Sequence, residues 1–161
     1  MTDKNSPLPP LNRRQVLSAA GMGLLSLALA STASKEGLAS PRDAKKKLAE
    51  LTGVAKPEKG RVTIEMPELT DQGALVPVRI TVDSPMTAED HVKAIHIVAE
   101  RNTVPDVASF HFTPANGVAQ ISTRIRVKET QIVLAAAQMS DGSVYLGRAR
   151  CRVVGGAGGC G

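Results

Sequence analysis

The sequence contains no tryptophan, one tyrosine and two phenylalanines in 161 residues, so aromatics make up 2% of a chain that is 42% hydrophobic. Its core must therefore be built from Val, Ile, Leu and Ala, and β-branched side chains of that kind suit strands. Few aromatics also leave little for stacking bases, and charge does not make up for it. The chain is +5 overall, but residues 1–39 hold Lys4, Arg13, Arg14 and Lys35 against Asp3 and Glu36, leaving +3 for the rest. Nucleic acid is not an expected partner. Two cysteines, Cys151 and Cys160, are too few for a disulfide framework and lack the paired spacing of a zinc site. His91, His96 and His111 share no ligand spacing with Asp or Glu on a single element, so no metal is expected. At this length one ordinary domain is expected once any leader is removed.

The amino terminus reads as an export signal. Residues 1–11 are polar and Pro-rich, and Asn12-Arg13-Arg14-Gln15-Val16-Leu17 then opens an apolar run reaching about Ala33. Paired arginines followed after one residue by Val and Leu fit the twin-arginine form. The alternative is an uncleaved anchor, but Ser18, Gly21, Gly23 and Ser26 interrupt a run shorter than the ~20 apolar residues a spanning helix needs. Ala28-Leu29-Ala30 offers a small-residue cleavage motif, and sites as late as Ala39 fit. The expectation is a signal over 1–39, and a periplasmic mature protein with no membrane contact after export.

Ser40-Pro41 before Arg42–Thr52, closed by Gly53, predicts a short helix with Ser as N-cap, read as a small decoration ahead of the domain. From Arg61 the period changes to two. Seven strands are expected: Arg61–Met66, Leu75–Val82, Lys93–Glu100, Val107–Thr113, Val118–Lys128, Gln131–Met139 and Ser143–Val154. Their number and spacing predict an all-β, immunoglobulin-like sandwich over 40–154. Val76, Val78, Ile80 and Val82 share one face of the second strand, and Ala119, Ile121, Thr123, Ile125 and Val127 share one face of the fifth, so each strand is expected to keep one wet face. Asp141-Gly142 predicts a hairpin that pairs the last two strands. His96 and His111 fall on outward faces, as surface or partner contacts. Arg124, Arg126, Arg148, Arg150 and Arg152 form, depending on register, one basic surface for acidic partners or anions, or simply solvated strand faces.

After Val154 the chain reads Gly155-Gly156-Ala157-Gly158-Gly159-Cys160-Gly161, a tail with one reactive side chain and little conformational preference. Cys160 is the sixth residue after Val154, a reach of about 12–15 Å on average and at most about 20 Å extended. A thiol on such a tether suits a carrier better than a catalyst, which needs its nucleophile held beside a base. The competing readings are a frayed tail on an exported structural or partner-binding module, and a thiol oxidoreductase using both cysteines, for which no Cys-x-x-Cys motif speaks. Cys151 falls on the apolar face of its strand. It is either a small buried hydrophobe or a secondary, resolving thiol for Cys160, the latter only if it is accessible.

The ending Val153-Val154-Gly155-Gly156-Ala157-Gly158-Gly159-Cys160-Gly161 resembles the Gly-Gly-Cys-Gly-Gly ending of the SoxY family of bacterial sulfur oxidation. Gly73-Ala74-Leu75-Val76-Pro77-Val78, His91-Val92-Lys93-Ala94-Ile95, Ser122-Thr123-Arg124-Ile125-Arg126-Val127, Thr130-Gln131 and Met139-Ser140-Asp141-Gly142-Ser143 are also similar to it, as is the leader. The resemblance implies an immunoglobulin-like carrier without catalysis of its own and without a cofactor, paired with a SoxZ-like subunit. Sulfur intermediates would be held covalently on Cys160, with residues 155–161 as a swinging arm. It further implies transient visits to the SoxAX cytochrome, the SoxB hydrolase and the SoxCD sulfane dehydrogenase. Two departures stand out: Ala157 interrupts the glycines and the chain ends one Gly early, and Cys151 is additional to the family pattern.

Overall fold

The computed structural model describes residues 37–155; the paired arginines Arg13 and Arg14, Cys160 and the arm residues from Gly156 onward lie outside them. Helix α1, Pro41–Thr52, starts as its sequence predicts. The Ser40 hydroxyl accepts from the Asp43 N–H at 3.3 Å while the Asp43 carboxylate accepts from the Ser40 N–H at 2.9 Å. This is a reciprocal cap that satisfies donors the helix leaves open. Gly53 ends it in the left-handed region, φ 72°, its N–H returning to the Ala49 carbonyl.

Nine strands follow among the described residues: β1 Glu58–Lys59, β2 Val62–Glu65, β3 Leu69–Thr70, β4 Val76–Val82, β5 Val92–Ala99, β6 Asp106–His111, β7 Ala119–Ile125, β8 Gln131–Met139 and β9 Val144–Val153. Seven correspond to the expected strands; β1 and β3 are two residues each and escape any periodicity. The larger sheet runs β1-β9-β8-β5-β6, with β3 also on β9, and the smaller runs β2-β4-β7. Their inner faces interdigitate to form an immunoglobulin-like sandwich, its core carried by Val76, Val78, Ile80, Ile95, Ile97, Val133, Ala135 and Cys151. β8 and β9 pair antiparallel without a register slip from Gln131↔Cys151 to Gln138↔Val144. They are joined as expected at Asp141-Gly142, where Gly142 takes φ 88° and the Asp141 carboxylate accepts from the Ser143 N–H at 2.8 Å.

Alternation holds on β4 and β7 but not in the centre of the larger sheet. β5 and β8 are buried on both faces, because α1 covers the outside. Ala44 and Leu48, one turn apart, pack on Val98, Leu134, Ala136 and Val144 in a second core. The helix is therefore a structural layer rather than a decoration, and burying Leu48 alone contributes about 2 kcal/mol. His96 shows the consequence: it points to this outer side, as expected, yet is buried, while His111 stays exposed. The five arginines do not share a side. Arg148 and Arg150 stand opposite Leu134 and Ile132 on the outer face of the larger sheet, whereas Arg124 stands opposite Pro77 on the outer face of the smaller one.

Candidate functional site

The site is the end of the sandwich from which the tail departs. β9 brings the chain there, and three hydrogen bonds fix its last residues. The Arg152 N–H donates to the Glu68 carbonyl at 2.8 Å, the Val154 N–H to the Thr70 carbonyl at 2.9 Å, and the Val153 N–H to the Thr130 hydroxyl at 3.1 Å. β3, lying parallel to β9 with Leu69↔Arg152 and Thr70↔Val153, thus acts as a strap that holds the chain through Val154. Gly155 follows at φ 83° with open space around its Cα. The strap is seated by Gly73, where a Cβ would overlap the Val127 carbonyl and meet Val153 at 3.3 Å; the Gly73 carbonyl meanwhile accepts from the Val127 N–H at 2.7 Å. Only glycine allows that approach.

A polar clasp closes the same end. Buried Gln131, opposite Cys151 in register, accepts from the Arg101 N–H at 2.7 Å and donates to the Asn102 side-chain oxygen at 2.9 Å. That oxygen also accepts from the Lys128 N–H at 3.1 Å, and the Asn102 amide donates to the Arg126 carbonyl at 2.8 Å. The Asn102 carbonyl takes the Ala39 N–H at 3.0 Å. One asparagine ties together the chain before α1, the β5–β6 loop and the β7–β8 loop, and no buried side-chain polar atom among the described residues lacks a partner.

Of the six large apolar side chains exposed among the described residues, five (Leu38, Leu69, Leu75, Val104 and Val154) belong to this end; Val118 is at the other. Single exposed hydrophobics are ordinary, but five of the six lie around the root of the tail.

Cys151 is wholly buried in the inter-sheet core, and burial pushes its thiol above the usual range. A resolving role needs access, and the thiol has none in this packing. His96 donates or accepts at 2.8 Å with the Ser109 hydroxyl, and its edge meets the His111 ring at a 6.4 Å centroid distance. Burial, then the His111 charge, hold it below its ordinary 6.5, with Asp106 opposing. No group of three or more His, Cys, Asp or Glu is placed to hold a metal among the described residues, and no helix there is long and apolar enough to cross a membrane.

The model of the family described as sulfur oxidation protein SoxY matches residues 48–160, from within α1 to the tail cysteine. The chain belongs to the SoxY family. Among solved structures it is similar to the sulfur carrier protein SoxY from Chlorobium limicola f thiosulfatophilum, at 26% identity and a TM-score of 0.60. That match covers 71% of this chain and 99% of that one. A superoxide reductase (neelaredoxin) from Ignicoccus hospitalis matches at 16% identity and a TM-score of 0.53, over 73% of this chain and 95% of that one, which shows the fold alone. No curated protein matches. SoxY membership makes the chain a sulfur carrier of the Sox system. The strap and the Asn102 clasp were missed by the sequence reading; the stretches beginning at Gly73 and Thr130, already noted as family-like, were the local signals pointing to them.

Proposed function

We propose that the chain carries sulfur intermediates covalently on Cys160 in the periplasm, exported by the twin-arginine signal around Arg13 and Arg14, and that it catalyses nothing by itself. The observation that carries the reading is positional. A strand pinned to the body through Val154 is followed by a tail whose one reactive group is Cys160. A free thiol of ordinary pKa near 8.5 is only a few per cent thiolate at neutral pH, so loading depends on a partner. In the first step a SoxAX-type cytochrome takes two electrons while the Cys160 thiol loses its proton and bonds the outer sulfur of thiosulfate. A SoxB-type hydrolase then adds water across the sulfur–sulfonate bond, releasing sulfate and a proton and leaving a persulfide on Cys160. A SoxCD-type enzyme takes the remaining sulfane sulfur onward. Leu69, Leu75, Val104 and Val154 meet the rim of each partner's channel while Gly155, Gly156, Ala157, Gly158, Gly159 and Gly161 keep the arm thin. A SoxZ-like subunit completes the carrier.

Reconstitution with SoxAX- and SoxB-type enzymes tests this. Thiosulfate-dependent electron transfer should vanish in Cys160→Ser and persist in Cys151→Ala. Equal activity in Cys160→Ser would return the chain to a structural module.

A further inference from the structure

The outer edge of β9 is covered at two places and open between them. β1 pairs with Tyr145 and Leu146, and β3 with Arg152 and Val153. In between, the chain leaves this sheet after Lys59, runs as β2 in the smaller sheet and returns at Glu68. The Arg152 N–H points outward to Glu68, and the β8–β9 register has no slip. In an antiparallel ladder outward-pointing groups recur at every second residue. Arg150 and Arg148 therefore present their backbone N–H groups to the open edge, where no strand among the described residues pairs with them.

A cleft of about 390 Å³ lies at this opening, lined by Ile64, Met66, Glu68, Ala149, Arg150 and Arg152. Ile64 and Met66 make an apolar, partly thioether wall. Arg150 and Arg152 are exposed and make no ion pair among the described residues, with Glu68 the single acid beside them. A soft sulfur atom bonded to a sulfonate matches both parts: the sulfur against Met66 and Ile64, the oxygens on guanidinium groups and the Arg150 N–H. Distance permits delivery. Arg150 is four residues back along the strand from Val154, about 13 Å, while the tail to Cys160 spans at most about 20 Å.

We propose that the cleft at the open edge of β9 binds a thiosulfonate-type sulfur oxoanion, either carried on Cys160 or free as thiosulfate. This rests on the carrier reading. It gives the arm a docked state while the adduct bears its sulfonate, and removal of that group as sulfate takes away what the arginines hold.

Tetrathionate loads the mature chain for the test: the Cys160 thiolate takes a thiosulfonate group and releases thiosulfate. Amide spectra of this form should show Arg150, Arg152 and Met66 shifted relative to a carbamidomethyl form, and phosphine reduction of the adduct should become about tenfold faster in Arg150→Ser/Arg152→Ser. A Cys160→Ser chain titrated with inorganic thiosulfate separates the sources. Shifts there mean the free anion binds; shifts only in the loaded form mean the tethered adduct does. Unmoved amides in both, or an unchanged reduction rate, overturn the site even if Cys160 is loaded in cells. Shifts with free thiosulfate in a chain whose Cys160 is never loaded in cells would keep the site and remove the carrier reading.

Discussion

The two ends of β9 are built in different ways. At the hairpin end a local turn closes the chain, and its longer-range ties are β1 on Tyr145 and Leu146 and the bonds between Ser140 and His91. Asp141 caps its own turn, and Arg61 lies 5.3 Å above the Tyr145 ring and 3.3 Å from the Asp90 carboxylate. At the tail end the contacts tie distant segments to one strand terminus: the β3 strap, the Gly73 approach and a half-buried asparagine joining three segments. A hairpin closes itself, whereas a strand that must stop at a defined residue and release a free arm needs anchoring from elsewhere in the chain. The end that looks weaker in sequence, rich in glycine and exposed apolar groups, is cross-tied as well.

That contrast can be broken at its strongest point by Gly73→Val, which drives a side chain into the Val127 carbonyl. A loss of about 3 kcal/mol is expected, read by urea denaturation, together with faster hydrogen exchange at the Arg152 and Val154 amides as the strap lifts. Asn102→Ala removes the hub of the clasp and should cost about 2 kcal/mol while leaving the hairpin amides unchanged. At the other end Arg61→Ala should cost less than about 1 kcal/mol, since its partners are partly solvated. If Arg61→Ala proves more damaging than Asn102→Ala, the two ends have been ranked the wrong way.

The smallest effect expected is one of pH. Because His96 is held below its ordinary 6.5, the unfolded chain takes up a proton first as pH falls. Stability contributed by neutral His96 is present above about 6.5 and is lost as pH drops toward the folded-state value. Denaturation midpoints between pH 7.5 and 5 should fall less in His96→Gln than in the unaltered chain.

What the sequence disclosed follows from where structure is local. β4 and β7 alternate cleanly because one face meets the inter-sheet core and the other meets water. β5 and β8 were placed correctly but assigned a wet face, since strand periodicity does not reveal that a helix far earlier in the chain roofs them. The His96 environment was misread for the same reason. Two-residue strands such as Leu69–Thr70 carry no pattern, and the side-chain hydrogen bonds of Asn102 link residues 24 to 29 apart in sequence. The tail cysteine, by contrast, was legible because its setting is the primary structure itself. The basic stripe failed on sheet topology, which puts Arg124 on β7 of the smaller sheet and Arg148 on β9 of the larger one.

The central claim, that Cys160 holds the sulfur, is tested most directly by intact-mass analysis of the mature chain purified from cells grown with and without thiosulfate, with peptide mapping before and after reduction. Reducible sulfur adducts confined to the Cys160 peptide in thiosulfate-grown cells are the predicted result. One unmodified mass under both conditions, or adducts on Cys151, would contradict it.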